Sequence, residues 1–163
     1  MNKIEYNPIG IIRTPFKETK GMPIQSAFSK AAGKVILSKE FLNAIKGLKG
    51  FSHLILIYHF HNAKKQAQIV KPFLSEQELG IFAVRAPNRP NSIGISIVRL
   101  IDIIVQKNSI ELIINGVDML DQTPLLDIKP YMKDYDSVPD AKCGWYDVRE
   151  IKTAVADDRF SKV

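Results

Sequence analysis

One cysteine, Cys143, and three histidines are all that this 163-residue chain offers for covalent cross-linking or soft-metal capture. A lone cysteine excludes an internal disulfide framework and a cysteine-built zinc cluster, and it accords with a reducing compartment. Cys143 itself reads as a small residue near a turn. Long hydrophobic runs are missing too. The longest uncharged apolar stretch, Leu54 to Phe60, falls far short of the roughly 20 residues a membrane helix needs, and Tyr58 and His59 already interrupt it. The first ten residues carry charge at Lys3 and Glu5 and no apolar segment of signal-peptide type. The expectation is a cytoplasmic protein that does not enter a membrane. Glycines are few and scattered: Gly47, Gly50, Gly80 and Gly94 form neither a glycine-rich strand-to-helix turn nor a phosphate-cradling loop, which argues against a Rossmann sheet and a P-loop.

What is present is ordinary for one soluble core. Hydrophobic residues make up 45% and charged residues 25% of the chain, a composition and length expected of a single domain. We read residues 1–163 as that domain, ending in a short charged tail from about residue 146. The formal net charge of +6 favours an anionic partner such as RNA, because clustered Lys and Arg release counterions from a phosphate backbone. Charge alone does not decide it, since many basic proteins bind no nucleic acid.

β-rich runs dominate: Asn7 to Arg13, Gly33 to Leu37, His53 to His61, Leu79 to Val84, Gly94 to Val105 and Ser109 to Val117. Each is rich in Ile, Val, Leu or aromatics, and Gly, Pro, Asn or Lys bound most of them. Ser38 reads as the N-cap of a helix over Lys39 to Gly47, with Phe41, Leu42 and Ile45 on one stripe. The polar stretch Asn62 to Val70 reads as a short helix or a loop that ends before Pro72. Parallel strands need long crossovers, and two candidate helices are too few to supply them. The spacing therefore predicts a mainly β protein, a small mixed or antiparallel β-barrel with one or two flanking helices. After Pro130, Asp134, Asp136, Pro139 and Asp140 mark turns ahead of Trp145.

Two stretches could carry chemistry. The first is Arg85-Ala86-Pro87-Asn88-Arg89-Pro90-Asn91-Ser92-Ile93-Gly94, a loop between two apolar runs. Its prolines hold it extended and its arginines offer planar forks for a carboxylate or phosphate. Asn88 and Asn91 can each donate or accept. The competing reading is a turn shaped by Asn and Pro with solvated arginines. The second stretch, Asn115 to Tyr131, holds three carboxylates within ten residues, Asp118, Asp121 and Asp127, together with Pro124 and Pro130. Such carboxylates either meet cations and hydroxyls or serve as turn caps in water.

These strings resemble a known family. The first is similar to a signature of the TsaA-like tRNA methyltransferases, the TrmO family, which usually runs close to Arg-Ser-Pro-x-Arg-Pro-Asn-Pro-Ile-Gly. Gly116-Val117-Asp118-Met119-Leu120-Asp121-Gln122-Thr123-Pro124 looks like its second signature, Gly21-Met22-Pro23-Ile24-Gln25 like its N-terminal Gly-x-Pro-x-Gln element, and Phe51 to Asn62 like a fourth. Together they span about residues 5 to 145. The departures are Ile24 where arginine is frequent, Ser92 where proline is common and Gln122 where glycine is common.

The resemblance implies a small β-barrel distinct from the Rossmann methyltransferases, a homodimer, and S-adenosylmethionine as the methyl donor. It implies methylation of the N6 position of threonylcarbamoyl-adenosine beside the anticodon of threonine tRNA. On the matching positions, cofactor contacts fall to Pro23, Ile24, Gln25, His61, Asn62, Arg85, Ile95, Asn115, Gly116, Val117 and Asp118. Arg89 and Asn91 match the motif and serve either cofactor or tRNA. A methyl sulfonium is already activated, so the protein must chiefly align it with the attacking nitrogen, and a base helps with the nitrogen's proton. Asp118, Tyr131 and His61 are the candidates for that base. Two rival readings stand beside this one. One is a non-catalytic RNA-binding barrel, with Tyr131, Phe82 or Trp145 stacking on bases. The other is a metal-dependent hydrolase using His53, His59 and His61 on one strand face.

Overall fold

In the computed structural model, which describes residues 3–63, 65–149 and 153–158, the chain forms a closed antiparallel barrel. The strands are β1 (Gly10–Arg13), β2 (Ala32–Ser38), β3 (His53–His59), β4 (Ile69–Val70), β5 (Leu79–Gly80), β6 (Ile93–Val105), β7 (Ser109–Asn115) and β8 (Thr123–Pro130). Around the barrel the order is β1, β2, β7, β6, β3, β8, and β8 returns to pair with β1. The ribbon of β4 and β5 lies in the connection between β3 and β6.

Alternation explains the barrel. Leu54, Leu56 and Tyr58 on β3, Gly94, Ser96, Val98 and Leu100 on β6, and Ile110, Leu112 and Ile114 on β7 are buried, while their neighbours face outward. Side chains on a strand point alternately to its two faces, so each run contributes one apolar face. Ile12, Val35, Leu54, Leu56, Ile110, Leu112, Ile114, Val117 and Leu125 are completely buried, each worth about 1.5–3 kcal/mol against exposure to water. Closure of the ring also removes the unpaired strand edges that would otherwise invite aggregation. Pairing slips between Ile57 and Tyr58 on β3 and between Leu100 and Asp102 on β6. Such irregularities bend a strand and increase its twist.

The strand that closes the barrel was the hardest to read from sequence. Thr123–Pro130 contains Pro124, Asp127 and Pro130, all disfavoured in strands. Both prolines lie within two residues of a strand end, where a missing N–H is tolerated. By contrast, the Leu79 to Val84 run yields only two strand residues before a 3-10 turn at Ile81–Ala83. The helix expected after Ser38 is a 3-10 helix over Lys39–Leu42, and Ser38 makes no side-chain cap. The chain then turns through Gly47, whose φ of 84° lies in the left-handed region that ends a helix. Phe41 and Ile45 still pack on the barrel. The described residues of Asn62 to Val70 hold no helix and lead into β4. One helical turn, α1 (Lys133–Asp136), forms where turns were expected, and the Asp136 carboxylate accepts the N–H of Met132 at 2.7 Å.

The tail folds back onto the body. The N–H groups of Gly21 and Ile24 donate to the carbonyls of Ala156 and Ala154, and the Ala156 N–H donates to Met22. Trp145 Nε1 donates to the Ala83 carbonyl at 2.7 Å, and its ring packs against the cluster of Ile81, Val84 and Ala86. Within the expected tail, residues 150–152 and 159–163 lie outside the described residues.

Candidate functional site at the barrel mouth

A cleft of about 860 Å³ opens where the Thr19–Gln25 segment, the turn after β3, the Arg85 loop and the turn after β7 converge. Its volume lies in the range of small-molecule sites. The floor is built by strand ends. Tyr58 and Gly94 face each other across the β3–β6 ladder, and the tyrosine ring lies directly over the glycine, where an added Cβ would stand 2.2 Å from Tyr58 Cε2. The tyrosine hydroxyl lies 3.0 Å from Ser96 Oγ, and Ser96 Oγ donates to Asp118 Oδ1 at 2.5 Å.

Burial pushes the Asp118 carboxyl up to about 6, against the opposing pull of Ser96, of backbone N–H groups at Ser26 and Asp118 itself, and of the Arg85 charge. Burial likewise raises the Tyr58 phenol, and the nearby Asp118 charge adds to this. His61 is shifted downward by burial and then by His59, which favours the neutral ring. Its Nδ1 is 3.4 Å from Thr123 Oγ1. A carboxyl whose proton affinity is raised toward working pH is suited to general-base work, and His61 lines the same cleft.

The residues expected at the site divide into three groups. Pro23, Ile24, Gln25, His61, Asn62, Arg85, Arg89, Ile95 and Asp118 all line this cleft. Arg85 is exposed, and its Nη1 donates to Gln25 Oε1 at 3.1 Å. Asn115, Gly116 and Tyr131 instead line an adjoining cleft of about 610 Å³ that shares Gln25, Arg85 and Ile95 with the first. There Tyr131 meets His53 edge to face, with ring centroids 6.3 Å apart. Val117 and Asn91 line neither cleft. The Val117 side chain is wholly buried in the barrel core, and its carbonyl accepts Ser29 Oγ at 2.5 Å. Asn91 is exposed, and its carbonyl accepts the Ile93 N–H.

Arg89 has a structural engagement as well: its Nη1 donates to the carbonyls of Ile81 at 3.0 Å and Val84 at 2.7 Å, tying the Arg85 loop to the preceding turn. Asn88 is buried and donates to the Lys65 carbonyl. Asp121 lies outside both clefts and meets Arg13 at 2.9 Å, Lys17 and the Thr14 N–H. Despite burial, which would raise it, these partners hold its carboxyl well below the usual range. Asp127 pairs with Lys129 at 2.8 Å. His53 and His59 both point off the outer face of β3, whereas the strand ends before His61, which turns into the cleft. Among the described residues, no three His, Cys, Asp or Glu side chains are grouped to hold a metal ion.

Sequence reasoning passed over Tyr58 and Ser96. The available signal was the pattern of β6, where Ser96 occupies an inward position between Gly94 and Val98, and a hydroxyl on an apolar face must find a partner.

Comparison with known proteins decides the family. A sequence model of the tRNA-methyltransferase O N-terminal domain matches residues 11–137. The chain belongs to the TrmO family. It is 48% identical over 158 residues to a probable S-adenosyl-L-methionine-binding protein of Pyrococcus abyssi, covering 95% of this chain and 84% of that one. It is 35% identical to a tRNA (adenine(37)-N6)-methyltransferase of Escherichia coli, covering 89% of this chain and 65% of the relative. A crystal structure of TrmO from Pseudomonas aeruginosa superposes with a TM-score of 0.73 at 37% identity, over 90% of this chain and 63% of that one. The chain thus spans a little under two thirds of the length of these last two proteins.

Proposed function

We propose that the protein is an S-adenosylmethionine-dependent tRNA (adenine-N6)-methyltransferase, and that the cleft at the barrel mouth holds the methyl donor. The observation that carries this reading is the convergence of Arg85, Gln25 and Asp118 in one cleft of a TrmO-family barrel. The chemistry of the lining fits such a ligand. Arg85 matches a carboxylate, Asp118 and Gln25 match an ammonium or a ribose diol, and Met22, Phe28 and Leu120 supply an apolar wall. Pro23, Ile24, His61, Asn62 and Ile95 complete the set; of the turn after β7, Asp118 lines this cleft, Asn115 and Gly116 border the adjoining one, and Val117 anchors the turn in the core. The bound donor supplies a methyl group on a positively charged sulfur, already activated as a leaving group. The chain's own contribution is to orient the two reactants, exclude water, and take the proton of the acceptor nitrogen on Asp118. His61 stands in the same cleft as a second acceptor, whereas Tyr131 is in the adjoining one.

Within that activity, we place the acceptor at the N6 of threonylcarbamoyl-adenosine next to the anticodon of threonine tRNA, where the carbamoyl substituent acidifies the N–H that Asp118 would remove. Arg89 and Asn91 belong to the loop that would face the RNA. The acting species in this proposal is a cytoplasmic homodimer. Its support is the outer face of β6, where Ile93, Ile95, Ile97 and Ile101 are each 41–54% exposed with Arg99 among them, a largely apolar stripe of the kind that marks an interface.

Calorimetric titration of S-adenosylmethionine into the wild type and Arg85→Ala tests the reading. The wild type should bind one ligand per subunit, and the variant should bind about 10- to 150-fold more weakly, the equivalent of a charged hydrogen-bond partner worth about 1.5–3 kcal/mol. Absence of binding to the wild type, with salt-sensitive RNA binding retained, would favour the RNA-binding barrel instead.

A further inference from the structure

We propose that Ser96 and Tyr58 are positioning residues for Asp118, forming a buried hydroxyl relay from the barrel interior to the carboxylate in the cleft. This rests on the methyl-transfer reading for its role in turnover, but the relay itself is a property of the folded chain. Both residues are 3% exposed in an interior filled mainly by Ile, Leu, Val and Met, where an unpaired hydroxyl is costly. Their hydrogens have an order. Ser96 has one proton to donate, and it goes to Asp118 Oδ1; the Tyr58 hydroxyl, which lies 3.0 Å from Ser96 Oγ, is then the donor to Ser96. The relay therefore runs Tyr58 to Ser96 to Asp118, with both hydroxyls spending their donors toward one carboxylate.

Gly94 makes this possible. With no Cβ at that position, the Tyr58 ring can lie across β6 and bring its hydroxyl to the serine two residues along the same strand. A carboxylate has about four acceptor sites, so fixing one of them from below orients the others toward the cleft. Other groups around Asp118 act from different sides: the Ser26 N–H, the Asp118 N–H and the Arg85 charge, with His61 and Thr123 lining the same cleft. Of the side chains that act on Asp118, Ser96 is the buried one that donates directly to the carboxylate, whereas Arg85 is exposed and engaged with Gln25. Ser96 thus anchors the carboxylate from the interior and pulls its proton affinity down against the burial that raises it.

The first arm of the test, a carboxyl titration, needs no RNA. Full-length protein is labelled with ¹³C at the aspartate carboxyl, the Asp118 signal is identified by its loss in Asp118→Asn, and its titration midpoint is followed in the wild type, Ser96→Ala, Ser96→Thr and Tyr58→Phe. Removing a hydrogen bond to the ionised form raises the midpoint, by about one pH unit or more for Ser96→Ala. Tyr58→Phe should raise it by less, and Ser96→Thr should restore it. The acid limb of kcat/KM for tRNA methylation should move with the same order. Midpoints identical in wild type and both Ser96→Ala and Tyr58→Phe would overturn the relay. A midpoint that moves while the acid limb stays put would remove the relay from turnover. A wild type that transfers no methyl group would sink the enzymatic reading, and the carboxyl titration would still decide the relay. Tyr58→Phe keeps the shape of the core, so the test stands even where Ser96→Ala fails to fold.

Discussion

Substituting alanine for Gly94 puts a methyl group 2.2 Å from Tyr58 Cε2 and 2.5 Å from Cζ, whereas carbon atoms in contact sit about 3.5–4.0 Å apart. The ring would have to retreat by roughly 1.3 Å, the difference between 3.5 and 2.2 Å. It has little room to do so. The ring is buried, its hydroxyl is tied to Ser96, and its edge meets Phe60 with centroids 5.3 Å apart. Overpacking a filled interior costs about 1–3 kcal/mol, and a rigid aromatic obstacle places Gly94→Ala at the upper end, about 3 kcal/mol. For a chain of 163 residues this corresponds to a loss of roughly 6–12 °C in Tm. The cause can be isolated with Tyr58→Val, which alone should cost about 3–5 kcal/mol as a large-to-small core change. In that background the Gly94→Ala cost should fall below about 1 kcal/mol, a coupling of about 2–3 kcal/mol between directly touching residues. Urea unfolding followed by far-ultraviolet circular dichroism measures all four corners of the cycle. An undiminished Gly94→Ala cost in the Tyr58→Val background would refute the argument, because the strain would then lie in the strand and not in the ring.

Further expectations concern backbone and charge. Gln122 holds a φ of 66°, a left-handed conformation that costs a residue with a Cβ about 1–2 kcal/mol, so Gln122→Gly should gain up to about 1 kcal/mol and raise Tm by roughly 2–4 °C. A lower Tm would show that the glutamine side chain contributes more than its backbone strain removes. Asp121→Asn should lose about 1–3 kcal/mol at pH 7, because it dismantles the ion pairs with Arg13 and Lys17. The folded carboxyl is shifted downward, so its contribution is full above the ordinary carboxylate value near 4 and fades as pH falls below it; the wild type and variant should converge in acid. Asp118→Asn has the opposite sign. Its carboxyl is raised to about 6, so ionisation there costs the fold stability as pH rises from about 4 to 6. The variant should be more stable by about 1–3 kcal/mol at pH 8 and equal to the wild type near pH 4. Equal melting temperatures at pH 8 would contradict the buried placement of the carboxylate.

Much of the barrel was legible because its inward faces are written with period two: Leu54, Leu56 and Tyr58, or Ile110, Leu112 and Ile114. β8 was not, because Pro124, Asp127 and Pro130 each argue against a strand locally, and only the need to close a ring between β1 and β3 overrides them. The helix expected over Lys39 to Gly47 shortened to a 3-10 turn for the converse reason. A stripe of three apolar residues is satisfied by one turn packed on the barrel, and Gly47 ends it. At the site, the motif strings located the cleft but not the depth of their side chains. Arg85 reaches it, whereas Arg89 of the same loop also ties backbone carbonyls together.

The turn after β7 shows why a signature string need not be a string of ligand contacts. Val117 is driven wholly into the core, packing so close to Gly33 that a Cβ there would stand 2.7 Å from its Cγ1. From the other side, the Ala31 carbonyl accepts the N–H groups of Gly116 and Val117, and Ser29 donates to the Val117 carbonyl. Gly116 itself takes a φ of 89°, which a side chain would resist. Four anchors thus hold the backbone immediately before Asp118, and Ser96 holds its side chain. Rigid support of this kind is what a reacting carboxylate requires, since an error of about 1 Å in placement can cost on the order of a hundredfold in rate. Within Asn115-Gly116-Val117-Asp118, the proposed mechanism gives the proton transfer to the last residue, and the preceding ones are the physical means of holding it in place.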